Sequence, residues 1–207
     1  MTMTPAIFLD RDGVINENRA DHVTAWDDFA PVPGALTGLR MLAALGLPVV
    51  IVTNQGIVGR GEITVAELDA LHARMRNLVS RHGGRITQVY VCPHNAQDRC
   101  DCRKPAPGMF HRAAGEHNID LAASYYVGDA LTDVAAGQAA GCTTVLVRSG
   151  RGLTQLLRQQ AQAYSGYYVA RDLSHAARFI AHDRARRIGR PSLVSTMRLA
   201  VNSVQFV

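Results

Sequence analysis

The sequence lacks any hydrophobic run long enough to cross a membrane. No apolar stretch approaches the roughly 20 residues that a transmembrane helix needs. Residues 1–5 contain neither the basic nor the apolar segment of a signal peptide. Charged residues make up 19% of the chain and hydrophobic residues 47%, and both fractions are ordinary for a soluble globular protein. We therefore expect a cytoplasmic protein without a membrane partner.

Acidic residues are absent from residues 184–207, which carry five arginines. Five of the 22 basic residues thus lie in this segment, and the remaining 17 equal the 17 acidic residues of the chain. Residues 1–183 are formally neutral and show no clustered basic groove of the kind that binds nucleic acid. We predict one domain over residues 1–183, a basic C-terminal tail over residues 184–207, no nucleic-acid partner and a monomer.

Cysteines are also few, and three of the four lie in one short segment. Cys92 and His94 are separated by one residue, as are Cys100 and Cys102. Three thiolates and an imidazole form a closed tetrahedral site for structural zinc. Cytosolic clusters of this kind bind metal more often than they form disulfides. We predict that these four residues bind Zn²⁺ and that Cys142 is a buried apolar thiol.

Apolar runs with strand character alternate with helical patterns along the chain. Val49–Val52 is predicted to be a strand buried on both faces, and Thr64 with Glu67 forms a capping-box pair that opens a long helix. This alternation predicts an α/β fold, with a Rossmann-like open parallel sheet and helices on both faces. The predicted strands cover residues 7–9, 49–52, 89–91, 125–127, 144–147 and 167–169, and the predicted helices begin near residues 36, 64, 108, 131, 153 and 173.

Polar motifs follow several predicted strands, which is where ligands bind in open α/β sheets. Asp10-Arg11-Asp12-Gly13 offers two carboxylates, of which one can attack phosphorus while the other handles the proton of the leaving oxygen. Thr53 offers a hydroxyl, and the glycine-bearing turn after it offers backbone amides for a phosphate oxygen. Alone, each motif is also consistent with an ordinary turn.

Two further motifs extend the pattern. Gly128-Asp129 is followed by Asp133 on the first turn of a predicted helix, and carboxylates gathered at strand ends form an oxygen-rich site for Mg²⁺. The plainer interpretation is that Asp129 caps that helix. In Arg103-Lys104-Pro105, a fixed lysine can neutralise charge on a transferring phosphoryl group.

In this order, the four motifs resemble the signature of the haloacid dehalogenase (HAD) superfamily over about residues 7–152. The resemblance implies a Mg²⁺-dependent phosphatase in which Asp10 is the nucleophile and forms an aspartyl-phosphate. Asp12 would be the general acid and then the general base, and Thr53 and Lys104 would bind the phosphoryl oxygens. The short intervals between the motifs leave no room for a large cap domain.

The resemblance also implies the metal ligands. Mg²⁺ would be bound by Asp10, the backbone carbonyl of Asp12 and Asp129, with Asp133 as outer support. The predicted zinc-binding loop would brace the segment that aims Arg103 and Lys104 at the substrate.

The Cys-x-His…Cys-x-Cys-Arg-Lys-Pro segment resembles two related branches of that superfamily, the heptose 1,7-bisphosphate 7-phosphatases and the histidinol-phosphatases. Arg60, in an Arg-Gly pair, favours the heptose branch, because Arg60 and Arg103 can bind a second phosphate through bidentate contacts. We predict a small sugar phosphate substrate, the heptose 1,7-bisphosphate, which the enzyme would convert to the heptose 1-phosphate. Histidinol phosphate, another sugar phosphate and a nucleic-acid 3′-phosphate are the alternatives. The further predicted substrate contacts are Asn18, Arg19, Asn54 and Gln55.

Overall fold

The computed structural model describes residues 3–157, 164–189 and 205–206 of the chain. Strands and helices alternate along it, as predicted. The strands are β1 (Ile7–Leu9), β2 (Val49–Asn54), β3 (Gln88–Cys92), β4 (Tyr125–Gly128), β5 (Thr143–Val147), β6 (Tyr168–Ala170) and β7 (Gln205–Phe206). The helices are α1 (Ala35–Ala43), α2 (Gly56–Gly59), α3 (Val65–Arg81), α4 (Gly108–His117), α5 (Leu131–Ala139), α6 (Gly152–Leu156) and α7 (Leu173–Arg187).

The strands form one sheet in the order β3-β2-β1-β4-β5-β6-β7. Strands β1 to β6 pair in parallel, and β7 adds to β6 in the antiparallel direction. The chain moves outward from β1 through β2 to β3 and then returns to place β4 on the other side of β1. The order of the strands therefore reverses between β1 and β4, and ligands bind at such a switch point in open α/β sheets.

The sheet is covered on both faces because its strands carry apolar side chains on both sides. In β1, Ile7 and Leu9 join a core cluster that includes residues of α1, α3 and α7. Phe8 points to the opposite face and contacts Phe110 of α4, with ring centroids 5.0 Å apart. β2 has the same two-sided burial and confirms the prediction for this strand.

Helix α3 begins as predicted from its capping box. The hydroxyl of Thr64 accepts a hydrogen bond from the backbone N–H of Glu67, and the Glu67 carboxylate accepts one from the backbone N–H of Thr64. This closes the first turn and sets which side of the helix faces the sheet. His72 lies on that buried face.

The last helix begins at Leu173, as predicted. Helix α7 continues past residue 184, where the predicted basic tail begins, to Arg187, and Arg184 donates a hydrogen bond of 2.8 Å to the carbonyl of Leu45. The first four residues of the predicted basic tail are thus helical, which suits arginines because they lie at the negative end of the helix dipole. The predicted helix near residues 153–163 ends at Leu156 as α6, and residues 158–163 and 190–204 lie outside the described residues.

The described residues contain neither a second folded unit nor a candidate membrane span. Residues 10–34 form the long connection between β1 and α1. Its one regular element is a short 3-10 turn, Trp26–Asp28. Where the structure describes the chain, no helix is both long and apolar enough to cross a membrane. The site described next is therefore bordered by loops of the same domain that carries the sheet.

Candidate active site

The polar motifs meet in one cleft at the carboxyl end of the sheet. Asp10 directly follows β1, and Asp129 directly follows β4, so the two aspartates flank the switch point. The cleft has a volume of about 520 Å³, and its lining includes all ten predicted catalytic and substrate-binding residues. Those residues are Asp10, Asp12, Asn18, Arg19, Thr53, Asn54, Gln55, Arg60, Arg103 and Lys104.

Lys104 is the only lysine in the chain and lies at the bottom of this cleft, 5% exposed. Its Nζ atom lies 2.9 Å from Oδ1 of Asp10 and 2.8 Å from Oδ1 of Asp133. It also donates to the hydroxyl of Tyr126 at 2.9 Å, and that hydroxyl donates to Asp133 at 2.8 Å. One buried cation thus compensates two buried carboxylates, which is the condition under which buried charge is tolerated.

Three buried carboxylates form an oxygen-rich cluster beside this lysine. Asp10, Asp129 and Asp133 each offer an oxygen, and these atoms lie within 4.8 Å of one another. Burial raises the pKa of Asp10 to about 7, while Lys104 opposes the shift; burial likewise raises the pKa of Asp129, opposed by Arg151. A divalent cation bound between the carboxylates would favour the ionised forms of Asp10 and Asp129, and hard oxygen donors suit Mg²⁺. The residues therefore fit this metal.

Two glycines permit this close assembly of carboxylates. Gly13 has a φ of +80°, and a Cβ at this position would collide with the carboxylate of Asp129. A Cβ at Gly128 would collide with the side chain of Asp133. Gly13 is thus required by the approach of the first loop to Asp129, and Gly128 by the approach of Asp133 to the end of its own strand.

The second aspartate of the first motif is held by hydrogen bonds on both oxygens. The Asp12 carboxylate accepts from the guanidinium of Arg11 at 2.9 and 3.0 Å, from Asn16 at 2.8 Å and from Gln55 at 2.8 Å. Burial opposes its ionisation, but the charge of Arg11 and these donors outweigh that effect and lower the pKa of Asp12. In this position Asp12 is an ionised acceptor.

The residues at the carboxyl end of β2 are hydrogen-bonded to one another and to the segment that carries Lys104. The hydroxyl of Thr53, 1% exposed, accepts a hydrogen bond of 2.8 Å from Gln55. Asn54 donates to the backbone carbonyl of Lys104 and accepts from its backbone N–H, both at 3.1 Å. Although Asn54 and Gln55 line the cleft as predicted, their amides are engaged within the protein and fix the positions of Lys104, Thr53 and Asp12.

The predicted zinc ligands converge into one compact cluster. The Sγ atom of Cys102 lies 3.3 Å from that of Cys92, 3.4 Å from that of Cys100 and 3.2 Å from Nδ1 of His94. All four cysteines of the chain are free thiols. A tetrahedral zinc ion with bonds of about 2.3 Å to sulfur separates its ligands by about 3.8 Å, so a slight expansion of the cluster accommodates the ion. The chemistry of the donors fits zinc.

Arginines surround the mouth of the cleft and differ in whether an acid balances their charge. Arg19 pairs with Asp21 at 2.7 Å, Arg60 pairs with Glu62, and Arg151 pairs with Asp129 at 3.1 Å. Among the described residues, Arg99 and Arg103 have no carboxylate as an ion-pair partner, and Arg103 donates to the carbonyl of His94 at 2.8 Å. Two of these five guanidinium groups therefore keep an unbalanced positive charge at the mouth.

Sequence reasoning missed several residues that shape the site. Tyr126 reads as a buried strand residue, yet its hydroxyl links Lys104 to Asp133. Arg151 reads as a loop residue after β5, yet its backbone N–H and guanidinium both donate to Asp129, as does the amide of Asn18 at 3.3 Å. The contacts of Tyr126 with Lys104 and of Arg151 with Asp129 leave no local pattern in the sequence, because each joins residues that are 22 positions apart.

Comparison with known proteins agrees with this geometry. Residues 101–176 match the HAD-hydrolase-like family. The chain is 39% identical over 150 residues to the D-glycero-beta-D-manno-heptose-1,7-bisphosphate 7-phosphatase of Pseudomonas aeruginosa, covering 72% of this chain and 84% of that protein. It is 37% identical over 171 residues to the enzyme of the same name from Bordetella bronchiseptica, covering 83% and 94%.

A solved structure gives the same result. The crystal structure of D,D-heptose 1,7-bisphosphate phosphatase from B. bronchiseptica, complexed with magnesium and phosphate, has a TM-score of 0.81 and 36% identity, covering 87% of this chain and 99% of that one. Fold and site together define a HAD-type hydrolase with a cluster of carboxylates that could hold a divalent cation. The chain belongs to the D-glycero-beta-D-manno-heptose-1,7-bisphosphate 7-phosphatase family.

Proposed function

We propose that this chain hydrolyses D-glycero-beta-D-manno-heptose 1,7-bisphosphate at its 7-phosphate, releasing inorganic phosphate and the heptose 1-phosphate. The observation that carries the proposal is the position of Asp10, at the end of the central strand and 2.9 Å from the buried Lys104, in a cleft with a cluster of carboxylates suited to Mg²⁺. The substrate follows from the relatives of this name, which cover most of the chain.

The reaction proceeds in two steps. A carboxylate oxygen of Asp10 attacks phosphorus, so that a new O–P bond forms as the bond from phosphorus to the sugar oxygen breaks. Asp12, which takes up a proton as the negatively charged phosphate binds beside it, gives that proton to the departing sugar oxygen. Water then attacks phosphorus of the aspartyl-phosphate and gives its proton back to Asp12, which releases inorganic phosphate and regenerates Asp10.

The remaining residues of the cleft bind charge that the phosphoryl group carries. Lys104 donates to its oxygens, and the hydroxyl of Thr53 donates to another. Asp10, the backbone carbonyl of Asp12 and Asp129 would bind Mg²⁺, with Asp133 as support. The ion supplies positive charge that polarises the phosphoryl oxygens and keeps Asp10 ionised.

The zinc cluster has a supporting role in this proposal. Cys92, His94, Cys100 and Cys102 together complete a four-coordinate site, so no position is open for substrate. The cluster closes the loop that ends in Arg103 and Lys104. Zinc would therefore fix the placement of these two cations without taking part in the reaction.

The distal phosphate of the substrate needs cations at the mouth of the cleft. Arg103 is suited because no acid among the described residues balances its charge. Arg60 also lines the cleft, but Glu62 compensates its guanidinium, and Asn95 and His22 contact it. A bidentate contact from Arg103, with Arg60 as the second contact, gives preference for a bisphosphate over a monophosphate.

We place the enzyme in the cytoplasm as a monomer that acts on a small molecule. One chain supplies every residue of the cleft, and the free thiols suit a reducing compartment. Size-exclusion chromatography with light scattering tests the monomer, and a dimeric mass would contradict it.

The activity is tested by phosphate release from a matched set of substrates with Mg²⁺ present. We expect the heptose 1,7-bisphosphate to be used with the highest kcat/KM, and its product to retain the 1-phosphate when analysed by phosphorus NMR. The controls are the heptose 7-phosphate, histidinol phosphate and a 3′-phosphorylated DNA. Faster hydrolysis of histidinol phosphate or of the DNA would overturn the proposed substrate but leave the phosphatase chemistry standing.

A further inference from the structure

His72 is a buried polar side chain that the reaction above does not use. It projects from the inner face of α3 and is 5% exposed. Its Nε2 atom lies 3.2 Å from an Nη atom of Arg11, which is itself only 1% exposed. A guanidinium keeps its charge when buried, so it needs partners that compensate for lost water. His72 is one of these partners.

The contact determines the protonation of the imidazole. A guanidinium has donors and no acceptor, so Nε2 of His72 must accept the hydrogen bond from Arg11. The ring is therefore neutral and carries its proton on Nδ1. Burial, and then the charge of Arg11, lower the pKa of His72 to about 3. The histidine thus remains an acceptor for Arg11 at neutral pH.

Arg11 uses its other N–H groups to bind Asp12 and Gln55. Its second Nη atom lies 2.9 Å from Oδ1 of Asp12 and 3.1 Å from Oε1 of Gln55, and its Nε atom donates to Asp12 at 3.2 Å. Gln55 also donates to Oδ2 of Asp12. With His72 on one side and Gln55 on another, the guanidinium presents its fork to Asp12 in one orientation.

We propose that His72 is a positioning residue for Asp12 and acts through Arg11: it fixes the place from which the carboxyl group serves the leaving oxygen. The inference rests on the proposed function only for the role of Asp12 as general acid. Placement matters because a displacement of about 1 Å can lower a rate roughly a hundredfold. A leaving group that is a weak base departs without a proton, so the contribution of His72 depends on the leaving group.

This dependence gives the test. His72→Leu keeps a buried side chain but removes the acceptor, whereas His72→Gln offers Arg11 an amide oxygen instead. Two rates are measured: kcat on the heptose bisphosphate, and the first-turnover release of p-nitrophenolate from p-nitrophenyl phosphate. For His72→Leu we expect kcat to fall roughly tenfold, with KM and the p-nitrophenolate rate within about twofold of wild type. His72→Gln should recover most of the lost kcat.

Other outcomes overturn the inference. Equal losses on both substrates would show that His72 merely supports the fold, and an unchanged kcat would show that it has no role. Zinc content and thermal unfolding report whether the variants fold. If His72→Leu does not fold, Arg11→Lys replaces it, because lysine lacks the guanidinium that joins His72 to Asp12. Arg11→Lys must then show the same dependence on the leaving group. Inactivity of the wild type on the heptose bisphosphate would instead refute the proposed substrate, and the comparison can be repeated with any alkyl phosphate that the enzyme hydrolyses.

Discussion

The ammonium group of Lys104 lies 2.9 Å from the carboxylate of Asp10, and both side chains are buried. Burial raises the pKa of Asp10 to about 7, and Lys104 opposes this rise. Lys104 therefore favours the ionised form of Asp10 where burial has removed the water that would otherwise solvate it. A carboxylate that is poorly solvated and held by a fixed cation needs little reorganisation before it attacks phosphorus.

Replacing Asp10 by Asn should abolish turnover, because the amide cannot form an aspartyl-phosphate. Enzymatic hydrolysis of phosphate monoesters lies at the upper end of known rate enhancements, so we expect a loss of several orders of magnitude in kcat. Phosphate release measures this, with zinc content and the unfolding midpoint as checks on folding. Turnover within about tenfold of wild type would exclude Asp10 as the nucleophile.

Removal of magnesium should stop the reaction reversibly. A Mg²⁺ ion bound by a few carboxylates and water exchanges readily, whereas a site with three thiolates retains its zinc much more tightly. Brief treatment with EDTA should abolish activity, and added Mg²⁺ should restore it while elemental analysis finds zinc still bound. Full activity after verified magnesium removal would contradict a magnesium-dependent reaction.

Loss of one zinc ligand should lower both metal content and stability. We expect about one zinc per wild-type chain, and Cys100→Ser should reduce that content and the unfolding midpoint, because structural zinc contributes directly to folding. Cys142→Ser is the matched control: this thiol is buried outside the cluster, and burial raises its pKa to about 12. It should change stability without changing zinc content. Equal zinc content in wild type and Cys100→Ser would make the cluster incidental.

Arg103 and Arg60, two of the arginines at the mouth of the cleft, should contribute unequally to the preference for a bisphosphate over a monophosphate. A charge-assisted hydrogen bond contributes about 1.5–3 kcal/mol, so Arg103→Ala should lower kcat/KM for the bisphosphate roughly ten- to hundredfold. The heptose 7-phosphate lacks the second phosphate and should lose little. Arg60→Ala should show the same selectivity with a smaller loss, because Glu62 already pairs with Arg60. Equal losses for both substrates would mean that these arginines only shape the loops.

Stability should depend on Asp172 in a manner that varies with pH. This residue caps α7 and accepts hydrogen bonds from Ser174 and the backbone of His175; burial opposes ionisation, but these donors lower the pKa of Asp172 below its usual value of 3.8. A lowered pKa stabilises the fold above the unfolded value, and that contribution disappears as pH falls through the folded value. Asp172→Ala should therefore cost about 1 kcal/mol at pH 7.

The loss of unfolding free energy caused by Asp172→Ala should become smaller below pH 3.8, where the carboxyl group of the unfolded wild-type chain becomes protonated. Asp172→Asn is the matched variant, because an amide oxygen caps a helix without titrating. Its cost at pH 7 should be smaller than that of Asp172→Ala, and the costs of both variants should narrow together as pH falls, because both remove the same titrating carboxyl group. A cost for Asp172→Ala that stays constant down to pH 3 would show that the charge is irrelevant to the cap.

The sequence was sufficient to predict the sheet and the meeting of the motifs. Parallel strands place their carboxyl ends at one edge, so Asp10, Thr53 and Asp129 had to converge once the alternation was recognised. The zinc cluster was predictable because its ligands are close in the chain. β7 was missed because its two residues carry no periodic pattern, and the end of α7 was not predicted because the change in charge at residue 184 does not mark the end of a helix.

What the sequence could not predict are contacts between residues with no shared motif. Arg11 and His72 are 61 positions apart, and their contact depends on the register of α3 against the sheet. Asn54 lines the cleft at the end of β2, but the backbone partner of its amide depends on the conformation of the neighbouring loop, which the sequence does not reveal. Here that loop brings the backbone of Lys104 within hydrogen-bond distance.

The single lysine of the chain makes its own burial measurable. Among the side chains, a reagent that acylates lysine can modify only Lys104, whose ammonium lies between Asp10 and Asp133 at the bottom of the cleft. Burial and two ion pairs protect this amine, so the rate of acylation at Lys104 measures how accessible the bottom of the cleft is to a reagent. Slower labelling in the presence of Mg²⁺ and inorganic phosphate would then show, from the mass of one peptide, that these ligands occupy the cleft in front of Lys104.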